Sequence, residues 1–319
     1  GAAIITVSYT EGGITKTDTV LVYIRNTSTD TPLIPPVQDD IVYRALLVGV
    51  GDYINLPDYY PDADETTDLV GPPYDVGRMY YILDQCRFGS SNIVFSIIND
   101  ELIDWDATKT AILEGIASTF SGADDNDISY FYFSGHGSYG EGFSTSYILP
   151  TDFDGSVDSL ISVDQLEMAL SDILGTKVVI LDSCFSGGFI GKEKGGITIS
   201  KEELTSFNNN IINAFTISKS KDLLTKTQYK VLTSCHYDQP CVEYPTHPFD
   251  GDPYGLFTAA FCSGCGYDDG TYYADSDENA KVSLQEEYLY IVDFVNSYFL
   301  GIQDVQVHPS DSTFTIIEY

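Results

Sequence analysis

The chain has 319 residues, 43% of them hydrophobic, with 24 Tyr and 17 Phe. That is enough apolar surface for one large core with a small appendage, and too much for a disordered chain. Acidic residues number 48 against 15 basic ones, and a net charge of −33 repels phosphate backbones, which argues against nucleic acid as a partner and favours cationic peptides or divalent cations. No run approaches 18 apolar residues, so no membrane span is expected, and six cysteines are too few for a disulfide scaffold.

In chain order, residues 1–25 read as a β-hairpin: "IITVSY" and "TDTVLVYI" carry β-branched and aromatic residues around the turn "TEGG". An isolated hairpin is marginal, so this one is expected to pack on the main body or to end a domain lying before Gly1. It resembles the last two strands of a bacterial immunoglobulin-like repeat of the kind found on surface proteins. No basic-then-apolar pattern opens the sequence, so any targeting segment is also expected to lie before Gly1. Residues 26–40, rich in Ser, Thr and Pro, read as a linker, and 41–319 as the main domain.

From Ile41 onward apolar runs alternate with amphipathic segments. The strands predicted are "IVYRALLVGV", "NIVFSII", "DISYFYF", "KVVILD" and "YKVLTSC". The helices are "PYDVGRMYYILDQC", with Met79, Ile82, Leu83 and Cys86 on one face, "DATKTAILEGIASTF" capped by Asp106, "SVDQLEMALSDIL", "GLFTAAFC" and "LQEEYLYIVDFVNSYF". A short helical piece is predicted at "NNNIINAF". This βαβα order, with strands apolar on both faces, predicts an α/β fold whose mostly parallel sheet is covered by helices on both sides. Sites in such sheets form at the carboxyl ends of strands.

Two strands end on chemistry. "ISYFYFSGHGSYG" stops at His136 between Gly135 and Gly137, and "KVVILDSCFSGG" stops at Cys184 before further glycines. A thiol is a nucleophile as thiolate, so it needs a base nearby and some exposure. An imidazole at a neighbouring strand end could take the thiol proton and later protonate a leaving amine. The backbone N–H groups of Gly137 and Cys184 are candidates for binding the oxyanion. Either residue alone reads as well as a core side chain; the pair, each after a strand and among small residues, points to catalysis. Ser183 or Ser186 is a weaker nucleophile candidate, because no G-x-S-x-G elbow is present. Cys262 and Cys265 have metal or redox spacing without a second pair, and read as core cysteines at a helix end rather than as half a zinc site; Cys86, Cys235 and Cys241 read likewise.

In order, the landmarks "ALLVGVGDY", "GPPYDVGRM", "FYFSGHG", "YILPTD", "KVVILDSCFSGG", "VLTSCHYDQPCVE" and "GLFTAAF" make the chain from Tyr43 to Tyr319 resemble the caspase-like cysteine peptidases of clan CD, and the metacaspases and bacterial relatives more than animal caspases. The separation of 48 positions from His136 to Cys184 (184 − 136) sits close to the spacing of about 50 in caspases. The resemblance implies a three-layer sandwich around a six-stranded sheet, with His136 as general base and acid, Cys184 as nucleophile, and no required cofactor.

Animal caspases carry Gln two positions before the cysteine and cut after Asp; here that position is Asp182. A desolvated carboxylate at about 4 Å repels an acidic side chain by several kcal/mol and attracts Arg or Lys equally. The metacaspase pattern implies an acidic specificity pocket of Asp75, Ser134 and Asp182, hence cleavage after Arg or Lys; Asp75 could instead complement the dipole of its helix. Calcium is implied for some metacaspases, with Asp152 and Asp164 near the liganding places and Gly191 where a further ligand would be; a solvated acidic loop is the alternative.

Seven of the 15 Lys and Arg residues, Lys192, Lys194, Lys201, Lys219, Lys221, Lys226 and Lys230, fall in one segment after Cys184, and they are candidates for self-cleavage or for plain charge balance. The expected partners are proteins or peptides with basic residues. The acidity and the hairpin suggest a bacterial cell-surface or extracellular setting. The rival readings are an acid-directed peptidase and a non-catalytic caspase-like binding module.

Overall fold

The computed structural model describes residues 2–11, 14–23, 41–55, 68–86, 99–139, 146–185, 210–215, 228–234, 243–298, 303 and 305–319. The chain divides into two units, Gly1–Asp39 and Asp40–Tyr319. In the first, β1 (Ala2–Glu11) and β2 (Ile14–Tyr23) pair antiparallel in unbroken register, from Ala2 opposite Tyr23 to Glu11 opposite Ile14. The residues between them are Gly12 and Gly13, the type that two-residue hairpin connections favour. The linker expected at 26–40 lies outside the described residues.

The second unit runs β3 (Tyr43–Gly49), α1 (Pro72–Gln85), β4 (Asn99–Ile103), α2 (Lys109–Thr119), β5 (Ile128–Tyr139), β6 (Ser146–Ile148), β7 (Ile161–Ser162), α3 (Val163–Ser171), β8 (Thr176–Phe185), α4 (210–215), β9 (Tyr229–Ser234), β10 (Glu243–Tyr244), β11 (Tyr254–Gly255), α5 (Leu256–Gly264), β12 (Lys281–Ser283), α6 (Leu284–Tyr298), β13 (Gln306–His308) and β14 (Thr315–Glu318). The main sheet has the order β13-β9-β8-β5-β3-β4. Its four inner pairings are parallel and β13 closes one edge antiparallel. The path has six strands, the number the resemblance implies, although β13 was not among the strands predicted; β6, paired with β5, and β7, paired with β6, bring the sheet to eight.

Alternate residues of each inner strand enter separate cores, which is the period of a strand buried on both faces. Leu47, Tyr130, Tyr132, Val178, Ile180 and Leu232 pack with Val76 and Met79 of α1, most of α5, and Ile291 and Val295 of α6. Leu46, Val48, Phe131, Phe133, Val179 and Val231 pack on the other side with Ile112 and Ile116 of α2, Leu166 and Leu170 of α3, and Ile211 and Phe215 of α4. The second unit is therefore a three-layer α/β sandwich.

Two local expectations are corrected, and a third lies outside the described residues. The α2 cap is the Thr108 hydroxyl, which accepts from Ala111 N–H at 3.2 Å; Asp106 lies in a 3-10 turn just before it. The described fourth strand is "NDELI", Asn99–Ile103, whereas "NIVFSII" lies outside the described residues. Strands β5 and β8 do not stop at His136 and Cys184 but continue through them to Tyr139 and Phe185. The α3 start is as its sequence suggests: Ser162 and Gln165 form a reciprocal capping box.

At the amino end of the sheet, Arg44 pairs with Asp127 at 2.5 Å, and Asp127 also accepts from Val42 N–H and Asp124 N–H. Burial alone would raise the Asp127 pKa, but these donors outweigh it and hold the carboxyl below its ordinary value. A depressed native pKa contributes stability that is complete above the unfolded value, near 3.9, and is lost as pH falls through the native one. Asp127→Asn is therefore expected to lower the urea midpoint at pH 7, with the gap to wild type closing below about pH 4; a gap independent of pH would contradict the ion pair.

Candidate active site

At the carboxyl ends of β5 and β8 the register sets Ser134 opposite Asp182, Gly135 opposite Ser183 and His136 opposite Cys184. The Cys184 side chain lies outside the described residues; its backbone is the β8 partner of His136. Gly137 continues the ladder opposite both Phe185 and Ile148. Ser183, the serine rival nearest the cysteine, is fully buried; Ser186 lies outside the described residues.

His136 is only 1% exposed. Its backbone N–H donates to the Tyr53 hydroxyl at 2.6 Å, its carbonyl accepts from Leu149 N–H at 2.9 Å, and the centres of the two rings lie 4.8 Å apart at 34°. Gly135 is required by close approach: a Cβ there would meet Phe133 Cζ at 3.0 Å, Tyr53 Oη at 3.1 Å and the Val50 carbonyl at 3.2 Å. Tyr53 is itself fixed. Its N–H donates to Asp68 Oδ1 at 3.1 Å, while Gly51 and Asp52 N–H both donate to Asp104 Oδ1, at 2.8 and 3.0 Å. Asp104 does this from a left-handed backbone, φ 47°. Tyr53 was not singled out from the sequence; the only signal was its place closing "ALLVGVGDY".

One step back along the strands, Asp75, Ser134 and Asp182 converge. Ser134 Oγ donates to Asp75 Oδ2 at 3.2 Å, and Gly255 N–H reaches both Asp75 oxygens at 3.1 Å. Asp182 Oδ2 accepts from Thr258 N–H at 3.1 Å and from the Thr258 hydroxyl at 2.7 Å, at the first turn of α5. A Cβ on Gly255 would lie 2.6 Å from Asp182 Oδ2 and 2.9 Å from Asp75 Oδ2, so the two carboxylates close on one glycine. Both are buried. Burial first, and then the Asp182 carboxylate, push the Asp75 carboxyl well above its usual range, against the pull of Arg78, Gly255 N–H and Ser134.

Arg78, one helical turn after Asp75, donates from Nη1 to Asp75 at 3.2 Å and to the Pro253 carbonyl at 2.8 Å. Its Nε and Nη2 clasp Asp250 at 2.9 Å each, and Nη2 also reaches the Asp252 carbonyl at 3.3 Å. Neither Arg78 nor Thr258 was among the residues expected from sequence.

The remaining candidates are scattered. Asp152 Oδ1 accepts from Lys109 N–H at 2.8 Å, and the Lys109 ammonium donates to the Asp158 and Leu160 carbonyls, so a cation of the chain already serves this loop. Asp164 is exposed in the first turn of α3. Among the described residues the one grouping of metal-compatible side chains is Asp275, Asp277 and Glu286, which contains neither. Asp275 and Glu286 spend their oxygens on Asn279, Ala280, Tyr319, Ser276 and Ser283. Gly191 lies outside the described residues.

Lys230 is a correction. It sits in β9, 8% exposed, its backbone paired with Val178 and its ammonium 5.3 Å from the Phe314 ring centre, so no protease cleft can take that bond from the folded chain. Lys192, Lys194, Lys201, Lys219, Lys221 and Lys226 lie outside the described residues. Cys86, Cys262 and Cys265 are free and buried, as core residues are, and burial raises all three thiols; Cys265 donates to Glu287 at 3.3 Å. Cys235 and Cys241 lie outside the described residues. Among the described residues no helix is long and apolar enough to cross a membrane.

The fold and this strand-end cluster define a caspase-like α/β domain, and a family model described as the caspase domain matches residues 43–298: the chain belongs to the caspase-domain family. No curated protein matches it. Among solved structures, a structural-genomics target from Geobacter sulfurreducens is similar at 15% identity and a TM-score of 0.49, over 86% of this chain and 94% of that one.

The Gly255 contacts generate a test. Gly255→Ala places a methyl group inside contact distance of two buried carboxylates, and overpacking of this kind costs about 1–3 kcal/mol. Chemical denaturation should show that loss; wild-type stability would mean that the carboxylates can part.

Proposed function

We propose that the protein is a cysteine endopeptidase that cuts after arginine or lysine. Cys184 is the nucleophile and His136 its base and acid. The reading rests on one arrangement above all. Two residues back from the His136–Cys184 pair, about 6.6 Å along the strands, lie Ser134 and Asp182, with Asp75 closing on them. That span suits the long side chain of Arg or Lys, entered from the scissile carbonyl.

In the reaction His136 accepts the Cys184 proton, and sulfur attacks the carbonyl carbon. The oxyanion is held by the N–H groups of Gly137 and Cys184. The C–N bond breaks as imidazolium protonates the amine, leaving a thioester. Water, deprotonated by His136, then attacks the thioester; the C–S bond breaks, the Cys184 sulfur takes the proton back from the imidazolium, and the acid product departs. Adjacent strands about 4.8 Å apart support a direct meeting of register partners. Tyr53, its ring beside the imidazole and its hydroxyl on the His136 backbone N–H, supports His136 in position at the rim of the sheet. Thiolate chemistry of this kind needs no metal, and no step passes through calcium.

Coumarin peptides test the reading directly. Arg and Lys substrates should turn over and Asp substrates should not; iodoacetamide and Cys184→Ala should abolish turnover. Cleavage after Asp would favour the acid-directed rival, and no turnover at all the binding module. Asp75→Asn should cut kcat/KM for Arg substrates at least tenfold.

The lysines of the 192–226 segment match the chain's own acidic pocket, which favours self-processing there. On incubation the wild-type protein should be cut within that segment while Cys184→Ala stays whole. Equal fragmentation of both would remove self-processing and leave charge balance as the role of these lysines.

A further inference from the structure

The acidic pocket contains a cation of its own. A basic substrate side chain prefers two ionised carboxylates, yet Asp75 and Asp182 are buried side by side, an arrangement that normally drives one of them to hold a proton. Arg78 is the only Lys or Arg side chain hydrogen-bonded to either carboxylate among the described residues. Its other nitrogens are committed to Asp250 and to the carbonyls of Asp252 and Pro253. The segment so clasped runs directly into Tyr254 and Gly255, and Gly255 N–H is the donor that caps both Asp75 oxygens.

We propose that Arg78 is a positioning residue for P1 selectivity: from behind the pocket its guanidinium draws Asp75 toward its charged form, and through Asp250 it holds the 250–255 segment that closes the pocket over Asp75 and Asp182. This rests on the peptidase reading above. Arg78 touches neither the reacting atoms nor, in this geometry, the substrate. It decides at which pH the pocket carries its second negative charge.

The groups facing Asp75 are Asp182 and Tyr132 from the sheet, Ser134, Gly255 N–H, Cys262 from α5, and Arg78. Asp182 alone of these brings a negative charge at neutral pH; the buried Tyr132 and Cys262 are pushed upward and stay neutral. Arg78 in turn faces Asp250, Tyr254, Tyr267 and His247. Tyr267 donates to Asp250 at 2.8 Å and stays neutral. Burial and then Arg78 lower the His247 pKa, so at neutral pH His247 adds no charge. The balance on Asp75 is therefore set by Asp182 against Arg78, and Asp250 draws off part of what Arg78 offers.

The signs follow. Without the guanidinium, Asp75 ionises at higher pH. Without the Asp250 carboxylate, Arg78 leans wholly on Asp75, which ionises at lower pH. Both changes release the same segment, so loosening alone would move both variants in one direction.

The experiment compares kcat/KM for a P1-arginine peptide and its neutral P1-citrulline isostere from pH 5 to 9, in wild type, Arg78→Gln and Asp250→Asn. The arginine-over-citrulline ratio should rise with pH in each protein. Its midpoint should move up by one pH unit or more in Arg78→Gln and down in Asp250→Asn, and at pH 7 the ratio should fall at least tenfold in Arg78→Gln. If Arg78→Gln does not fold, the downward shift in Asp250→Asn carries the decision. Midpoints unmoved, or moved together, in active variants would overturn the role of Arg78. A wild-type enzyme that turns over neither peptide would instead remove the peptidase reading beneath it.

Discussion

Ten consecutive residues of β5, Ile128 to Gly137, pair in parallel with Thr176 to Phe185 of β8, without a bulge. This ladder fixes two things at once: His136 beside Cys184, and Ser134 beside Asp182. A slip of one residue would turn Asp182 to the face covered by α2 and α3 and offer Ser183 or Leu181 to Ser134 instead. The slip is forbidden by the cores. Val178 and Ile180 are buried on one face, Val179 and Leu181 on the other, and each would have to exchange places. Apolar packing deep in the sheet thus holds polar chemistry in place at its rim.

The acidic cluster is tolerable because its charges are answered from several elements. Thr258 gives Asp182 both an amide and a hydroxyl at the start of α5, where the helix dipole also favours a negative charge. Gly255 and Arg78 answer Asp75. Even with these donors, burial and the neighbouring Asp182 hold the Asp75 carboxyl well above its usual range. The thiols show the opposite treatment: Cys86, Cys262 and Cys265 meet apolar surroundings or a buried Glu287, and burial keeps them protonated and inert.

The sheet was readable because strands buried on both faces leave unbroken apolar runs, and the helices because their apolar faces recur at helical spacing. Element ends were less so. "SGHGSY" and "SCF" have little strand character of their own, and neighbours supply their ladder partners. "NDELI" is too polar to announce a strand, but β3 provides the partner for each of its residues. Between Asp106 and Thr108, both good caps, the 3-10 turn that takes up Asp106 decides. His136 and Cys184 stood out by their glycine surroundings, and Asp182 by charge logic. Tyr53, Thr258 and Arg78 did not, since their partners lie 83, 76 and 172 residues away and no local pattern reports such distances.

Every residue of α5 is buried. The helix lies against both α1 and α6 and has no wet side on which to slide or roll. Its first turn is nevertheless the wall that faces Asp182. New preferences in this lineage would therefore arise by exchange of side chains at the rim, one at a time, because reshaping the backbone there means repacking a whole layer of the molecule. Diversity among descendants should be chemical rather than architectural.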